Sequence, residues 1–205
     1  GPNFDNKDIL NYINEKKLDK KYNVNFLDDK NLYKFVAREL TKKKIVGWFQ
    51  GKTEWGPRAL GNRSILADPR NKEIKDIINL KIKRRESFRP FAPSILREHV
   101  KDWFNQDAEV PFMSEVKMLK DDKKKLIPGV VHIDGTGRLQ TVTKDQNLKY
   151  YNLIQEFYEQ TQVPIILNTS FNENEPIVNN PTEAIECYER TNMDMLVIGN
   201  WIIQR

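Results

Sequence analysis

The sequence predicts an α/β fold on a mixed sheet. Segments with apolar residues at helical spacing alternate along the chain with short β-type apolar runs. Glycine-containing turns between some of these runs indicate hairpins, so strands of both orientations are expected in one sheet. With 205 residues and 39% hydrophobic side chains, the chain is long enough for one domain with a substantial core and a short appendage.

The first 40 residues are rich in lysine and carry apolar residues such as Ile9 and Leu32 at helical spacing. We expect this segment to be a linker or the remnant of a preceding domain, and residues 41–205 to form the domain itself. A β-type run at residues 45–49 comes early in that domain. A turn-rich loop follows at residues 51–57 and leads into an expected helix.

Beyond this loop, residue periodicity predicts further helices and strands. Residues 88–95 contain two prolines, which exclude a helix throughout and favour an extended segment. Pro181 opens a helix in its first turn, where a missing N–H costs little. The other expected helices span 71–83, 97–104 and 148–160, and the expected strands span 130–134, 139–143, 163–167, 195–198 and 201–203.

Composition excludes several classes of protein. No apolar run approaches the roughly 20 residues that cross a bilayer, and no charged region followed by an apolar stretch marks a signal peptide. We therefore expect no membrane association. The single cysteine, Cys187, fits a reducing cytoplasm, where we expect the protein to be located. With two histidines and one cysteine, the chain has no ligand cluster for a structural metal.

The net charge of +5 is concentrated in one stretch. Residues 70–89 contain eight Lys or Arg and three Asp or Glu, so the rest of the chain sums to zero. Within this stretch Lys83 offers a point charge and Arg89 a planar fork of donors, a pair that suits a phosphate dianion. The alternative is a solvated cationic helix end, which is also favourable for the helix dipole.

Arg58 lies in a second candidate segment, a loop at residues 54–64 with two glycines and a proline. Backbone N–H groups in such a loop can cradle an anion, and an arginine can clamp it. The spacing matches neither a P-loop nor a dinucleotide-binding fingerprint. A purely structural turn is an equal alternative.

His132, Asp134 and Arg138 form the third candidate, around a glycine turn. Two residues apart on the expected strand, His132 and Asp134 would point to the same face, and the turn would expose Arg138. A Ser–His–Asp hydrolase is weakly supported because the nucleophile-elbow pattern GxSxG is absent. A hydrogen-bonded structural histidine is the alternative.

Asn168 and Ser170 follow the expected strand at 163–167 and form the fourth candidate. Ligands in α/β proteins usually bind beyond the carboxyl ends of strands. Asn168 offers a donor and an acceptor and Ser170 a hydroxyl, which suit a carbamoyl group or a phosphate oxygen; a local side-chain turn is the alternative. Together the four segments supply cations and small polar groups but almost no nucleophile, which favours phosphate chemistry driven by positioning and charge.

Four sequence blocks closely resemble the NodU/CmcH family of carbamoyltransferases. They occur in the family's order and the resemblance runs from about residue 40 to the end of the chain. Gly137 and Trp55 depart from the alanine and phenylalanine that are common in the family. The blocks are GKTEWGPRALGNRSILADPR at 51–70, RESFRPFAP at 85–93, HIDGTGRLQTV at 132–142 and LNTSFN at 167–172.

The resemblance implies a YrdC-like fold, a twisted mixed β-sheet flanked by helices, and one half of a two-domain O-carbamoyltransferase. In the family this half cleaves carbamoyl phosphate and joins the carbamate to the α-phosphate of ATP, giving carbamoyladenylate. An N-terminal domain with an actin-like ATPase fold then passes the carbamoyl group to a hydroxyl of a small-molecule acceptor. ATP would be accompanied by Mg²⁺, held mainly by phosphates and water.

Carried onto this sequence, the resemblance gives catalytic roles to Lys83, Arg89 and Arg138, which would hold the phosphate and stabilise its departure. Substrate-binding roles fall to five residues: Arg58 for phosphate groups, Asn168 and Ser170 for the carbamoyl group or nucleotide, and His132 and Asp134 for the pocket wall or the nucleotide.

Two alternatives to this function stay open at the level of sequence. The first is a YrdC-like RNA- or nucleotide-binding module without carbamoyl transfer, with which the basic stretch at 70–89 is compatible. Only Phe88 and Phe91 lie among or beside its cations as stacking residues, so we do not expect nucleic acid as a partner. The second is a domain that is inactive without its N-terminal half.

Overall fold

A nine-stranded mixed sheet organises the protein, as the computed structural model of residues 1–205 shows. In chain order the strands are β1 Asn23–Phe26, β2 Val46–Phe49, β3 Arg63–Ala67, β4 Ala92–Leu96, β5 Glu115–Met118, β6 Thr136–Val142, β7 Ile165–Ser170, β8 Met195–Ile198 and β9 Trp201–Gln204. The helices are α1 Asn6–Glu15, α2 Asp29–Thr41, α3 Ile74–Lys81, α4 Val100–Trp103, α5 Asp121–Lys124, α6 Leu148–Thr161 and α7 Pro181–Arg190.

The strand order is β1-β9-β8-β2-β3-β7-β4-β6-β5. The β2–β8 and β4–β6 pairs are parallel, and every other neighbouring pair is antiparallel, which confirms the mixed sheet expected from the sequence. Because β4 runs antiparallel to β7 and parallel to β6, the first residues of β4 and β6 meet the last residues of β7 at one edge of the sheet. That edge carries the candidate site.

Every residue of β2, β3, β4 and β8 is buried, so both faces of the central sheet are covered. Helix α2 packs against α6, α6 against β4 and β7, and α7 against β2 and β8. Side-chain caps define where these helices begin: Asn147 caps α6 and Asn180 caps α7, whose first residue is Pro181 as expected from the sequence. None of the helices combines the length and the apolar character that a bilayer span requires.

The first 40 residues join the sheet and the core. Strand β1 pairs with β9, and α2 buries Leu32 and Val36 completely. In this structure the segment therefore packs on the rest of the chain through both main-chain pairing and apolar contacts. The domain boundary at residue 40 stays a prediction.

Two local predictions were wrong. The expected helix after the loop at 51–57 is the strand β3, because pairing with β2 on one side and β7 on the other overrides the local pattern. The expected strand at 130–134 is a 3₁₀ turn followed by a tight turn, in which the Gly135 N–H donates to the His132 carbonyl. His132 and Asp134 therefore do not share a strand face. The antiparallel partner of β6 is β5, which the sequence pattern did not reveal.

Gly61 allows the loop before β3 to pass directly over α6. Its φ angle is +111°, and a Cβ atom there would lie 2.2 Å from a ring carbon of Tyr150. We expect Gly61→Ala to lower the free energy of unfolding by about 2–4 kcal/mol, because backbone strain and overpacking both contribute. Urea unfolding followed by circular dichroism measures this change.

Gly56→Ala is the matched control for this substitution. Gly56 lies in the same loop with φ +93°, but no atom beyond its two chain neighbours lies within 4 Å of the point that a Cβ would occupy there. It should lose only the backbone component, about 1–2 kcal/mol. Equal losses in the two variants would show that the contact with Tyr150 does not constrain the loop.

Candidate functional site: an arginine-lined pocket

A pocket of about 130 Å³ lies at the sheet edge where β4 and β6 begin and β7 ends. Three of its lining residues, Arg58, Arg85 and Arg138, are arginines, and none is a carboxylate. The other residues that line it are Pro57, Ala59, Pro90, Phe91, Ala92, Met113, His132, Asn168, Thr169 and Ser170.

The loop that carries Arg58 is held from within by a buried arginine, Arg63, and a partly buried carboxylate, Glu54. The Arg63 guanidinium donates to the carbonyls of Gln50 and Gly51 at 2.6 and 3.2 Å. Glu54 Oε1 accepts from the backbone N–H groups of Leu60 and Asn62, at 2.9 and 2.6 Å. These bonds satisfy main-chain groups that a loop inside a protein would otherwise leave unpaired.

Burial changes the ionisation of both of these charges. It lowers the pKa of Arg63 to about 10 and raises the pKa of Glu54. The Arg63 guanidinium also lies 3.6 Å from the centroid of the Phe49 ring, a favourable cation–π distance. Arg63 is thus a structural residue of the loop, whereas Arg58 five residues earlier is left to face the pocket.

A network of side-chain amides fixes this loop to the sheet. Asn168 Nδ2 on β7 donates to the Ala59 carbonyl at 3.1 Å and to Gln140 Oε1 at 2.9 Å. Gln140 Nε2 on β6 donates in turn to the Leu60 carbonyl at 2.8 Å. The position of Arg58 is therefore set by two buried amides on two different strands.

Arg85 reaches the pocket from the segment between α3 and β4. Its Nε donates to Asn79 Oδ1 at 2.7 Å, and its guanidinium lies 5.3 Å from the Phe91 ring. Asn79 is fully buried and its Nδ2 also donates to the carbonyls of Ser87 and Arg89, at 3.0 and 2.9 Å. One asparagine at the end of α3 thus shapes the whole segment that presents Arg85.

The turn before β6 contributes His132. Its Nδ1 lies 3.0 Å from Thr136 Oγ1, whose hydroxyl is 2.7 Å from Asp134 Oδ1. Asp134 is exposed and does not line the pocket. His132 Nε2 is buried and has no hydrogen-bond partner within the protein.

All the charged side chains that line the pocket are positive. Burial and then the nearby Arg138 lower the pKa of Arg58, and burial and then the nearby Arg89 lower the pKa of Arg85. Burial also lowers the pKa of His132, an effect that Arg138 reinforces and Asp134 opposes. At neutral pH the site therefore has three guanidinium charges and a neutral imidazole, an arrangement that favours an anionic ligand.

Lys83 is not in this pocket, although the sequence pattern pointed to it as a phosphate ligand. Its side chain is 2% exposed, and Nζ lies 2.6 Å from the Ser170 carbonyl, 2.7 Å from the Asn172 carbonyl and 2.7 Å from Asn172 Oδ1. These three acceptors match the three protons of an ammonium group. Lys83 thus clamps the end of α3 to the residues that follow β7.

The other predicted residues divide into two groups. Arg58, Arg138, Asn168, Ser170 and His132 come together in the pocket. Arg89 does not line it, is about half exposed and pairs with Glu86 at 3.3 Å. The sequence pattern did not single out Arg85, although this residue lies within the basic stretch at 70–89. It also did not reveal Asn79 and Gln140, the neutral residues that support the pocket.

A larger concavity of about 500 Å³ lies elsewhere on the surface, along α7 and the segment before it. Three of the six residues that line it are glutamates, Glu175, Glu183 and Glu186, against one arginine, Arg190. Carboxylates repel phosphate, so this concavity is a poor site for the anions considered above.

Fold and site together define an α/β domain with a small cationic pocket. Residues 37–205 match a family model described as carbamoyltransferase C-terminus, and the chain belongs to this family. The nodulation protein NolNO of Sinorhizobium fredii is 48% identical over 174 residues, which cover 83% of this chain and 26% of that protein. The 3'-hydroxymethylcephem-O-carbamoyltransferase of Amycolatopsis lactamdurans is 36% identical over 168 residues, which cover 81% of this chain and 32% of that protein.

The chain thus spans about a quarter to a third of the length of these relatives. Two solved structures share its fold at low identity. Full-length HypF in its phosphate- and nucleotide-bound form has a TM-score of 0.54 and 20% identity, covering 86% of this chain and 22% of HypF. Sua5 of P. abyssi, complexed with L-threonine, has a TM-score of 0.56 and 13% identity, covering 86% of this chain and 48% of Sua5. These likenesses confirm the YrdC-like fold.

Lys83→Met tests the clamp. Three acceptors would lose their donor, and we expect the free energy of unfolding at pH 7 to fall by about 1–3 kcal/mol. Lys81→Met, at the exposed end of the same helix, should change it little. Urea unfolding of both variants and of the unsubstituted protein measures these differences.

The clamp also predicts a pH dependence. Burial, and then the nearby Arg85, lower the pKa of Lys83 to about 7 from its ordinary value of 10.5. Between these two values the unfolded chain binds the proton and the folded protein does not, so folding becomes more favourable as pH rises. The stability difference from Lys83→Met should widen between pH 7 and 9; a constant difference would contradict the lowered pKa.

Proposed function

We propose that the arginine-lined pocket binds carbamoyl phosphate and that the domain uses it, with ATP, to form carbamoyladenylate. The observation that carries this proposal is the set of three guanidinium groups, from Arg58, Arg85 and Arg138, around a small pocket without a carboxylate. Membership of the carbamoyltransferase C-terminus family supports the carbamoyl group as the part that is transferred. The phosphate of carbamoyl phosphate would meet the arginines.

Charge neutralisation is the main contribution of these residues to the proposed reaction. Carbamoyl phosphate carries a phosphate dianion, and each charge-assisted hydrogen bond to it contributes roughly 1.5–3 kcal/mol. When water cleaves the mixed anhydride to carbamate and inorganic phosphate, negative charge accumulates on the departing phosphate. Guanidinium groups already in place stabilise that charge without reorganisation.

The second proposed step joins the carbamate to ATP. A carbamate oxygen attacks the α-phosphorus, the bond from that phosphorus to the bridging oxygen breaks, and pyrophosphate leaves. The pocket of about 130 Å³ is smaller than the roughly 300–1,000 Å³ of typical ligand sites, so the nucleotide would extend out of it. Exposed aromatic side chains on two lining loops, Trp55 and Phe88, offer surfaces for the projecting part.

Magnesium has no carboxylate ligand in this pocket. Hard divalent cations prefer oxygen ligands, and Mg²⁺ is usually bound with several waters and with substrate phosphates. In this proposal Mg²⁺ therefore arrives with ATP and is coordinated by phosphate oxygens and water, with the arginines neutralising the remaining charge.

The transfer to an acceptor is assigned to a second domain. The named relatives are about two and a half to three times as long as this chain, and one of them is an O-carbamoyltransferase by name. We propose that an N-terminal domain with an actin-like ATPase fold receives carbamoyladenylate and passes the carbamoyl group to a hydroxyl. The identity of the acceptor would be set mainly in that domain.

The structure does not favour RNA binding by the basic stretch at 70–89. Its cations do not form one free surface: Arg70 pairs with Asp68, Arg84 pairs with Glu173, and Lys83 is buried. A nucleic-acid groove needs cations that are available to successive phosphates. Only some of these positive charges remain available to a ligand, and that of Arg85 lies in the wall of the small pocket.

Arg85→Gln tests the proposed ligand. Titration calorimetry with carbamoyl phosphate should show saturable binding to the unsubstituted protein and about 10- to 100-fold weaker binding to Arg85→Gln, because one of three cations is lost. Arg84→Gln is the matched control: it removes the same charge from the neighbouring residue, which is exposed and does not line the pocket. Its affinity should stay within about twofold of the unsubstituted protein.

Two results would contradict this proposal. Equal losses in Arg84→Gln and Arg85→Gln would mean that only the general basicity of the segment matters. Absence of binding to the folded, unsubstituted protein would mean that the pocket does not hold carbamoyl phosphate in this chain.

A further inference from the structure

The turn before β6 determines which nitrogen of His132 carries the proton. Asp134 Oδ1 accepts from Thr136 twice, from the backbone N–H at 3.0 Å and from the hydroxyl at 2.7 Å. A hydroxyl has one proton, so Thr136 Oγ1 can only accept at its 3.0 Å contact with His132 Nδ1. The Nδ1 atom therefore holds the proton, and Nε2 has a free lone pair.

This lone pair has no partner within the protein. His132 lines the pocket, and its Nε2 is a buried atom without a hydrogen bond. Burial disfavours the charged imidazolium, as do the nearby Arg138 and Lys75, and the pKa of His132 is lowered. The pocket thus contains a neutral hydrogen-bond acceptor among its cations.

Asn168 supplies a second unpaired acceptor. Both protons of its amide nitrogen are engaged, by the Ala59 carbonyl and by Gln140 Oε1, which fixes the orientation of the amide. Its Oδ1 atom is buried without a partner, and the residue is 1% exposed. Buried polar atoms in native proteins are nearly always hydrogen-bonded, so two unpaired acceptors in one pocket indicate a ligand with donors.

A fully ionised phosphate group has only acceptors and cannot satisfy these two atoms. The carbamoyl amino group has two N–H donors. We propose that His132 Nε2 and Asn168 Oδ1 accept these two protons, and that this pair selects carbamoyl phosphate against acyl phosphates of the same size. The inference rests on the proposed function and adds the part of the site that recognises the transferred group.

Acetyl phosphate is the test ligand, because it differs from carbamoyl phosphate by a methyl group in place of the amino group. Against the methyl group, both buried acceptors stay unpaired. Sites built to hydrogen-bond a ligand discriminate strongly against an analogue that lacks the donor. We expect carbamoyl phosphate to bind at least about tenfold more tightly than acetyl phosphate.

The experiment is titration calorimetry of both compounds into three variants and the unsubstituted protein. His132→Phe removes one of the two acceptors but keeps a planar ring, and should lower the affinity ratio markedly toward one, with Asn168 Oδ1 as the remaining acceptor. Thr136→Val keeps the imidazole but removes the group that holds its Nδ1 proton, and should lower the ratio less. His99→Phe, at the second histidine, which packs on Tyr158 outside the pocket, should leave the ratio unchanged.

The outcomes separate this inference from the function on which it rests. A ratio near one in the unsubstituted protein, with both compounds binding, would overturn the inference and leave the phosphate site intact. An unchanged ratio in folded His132→Phe would also overturn it. If His132→Phe does not fold, the ratio in Thr136→Val decides: a drop supports the assignment and no change refutes it. If neither compound binds, the proposed function and this inference fall together.

Discussion

The Asn168 amide is the interaction on which the pocket depends. It lies in the middle of the sheet, on β7, and its nitrogen bonds to the loop that carries Arg58 and to Gln140 on β6. Without it, the loop would have no direct bond to β7 at this point. Because both amide protons are engaged in this support, the amide oxygen of this pocket-lining residue is left without a hydrogen-bond partner. One side chain therefore holds the loop and retains an unpaired acceptor.

The pocket separates charges that support the structure from charges that are available to a ligand. Arg63 and Lys83 are buried and donate to backbone carbonyls, which fixes the segments around them. Arg58 and Arg138 lie close enough for the charge of Arg138 to lower the pKa of Arg58, with no carboxylate in the pocket wall. Glu54, the acid that holds the Arg58 loop, does not line the pocket, and the other supports of that loop, Asn168 and Gln140, are neutral amides. The positive field of the pocket is therefore not cancelled by its own supports.

Much of this organisation could be predicted from the sequence. Periodicity predicted α3, α6 and most of the central strands, and the family resemblance indicated the fold and five residues of the pocket. The roles of Lys83 and Arg89 could not be predicted, because a run of cations does not reveal which side chain turns inward. The register of β7 brings the Ser170 and Asn172 carbonyls to Lys83, whereas Arg89 meets Glu86 at the surface.

The missed elements have a similar explanation. Strand β3 forms because β2 and β7 provide partners on both sides, and residues far apart in sequence decide that pairing. The turn at His132 forms because Asp134 bonds to Thr136, a local contact that competes with an extended strand. Likewise the supports of the pocket, Asn79 and Gln140, are neutral residues whose importance comes from the carbonyls that the fold places beside them.

A pocket whose charges share one sign gives the protein two opposite responses to ionic strength. In the ligand-free protein the guanidinium groups of Arg58 and Arg138 repel one another, and added salt screens that repulsion and stabilises the fold. The same screening weakens the attraction between the pocket and an anion. Ionic strength therefore changes the stability of the empty pocket and its affinity for an anion in opposite directions.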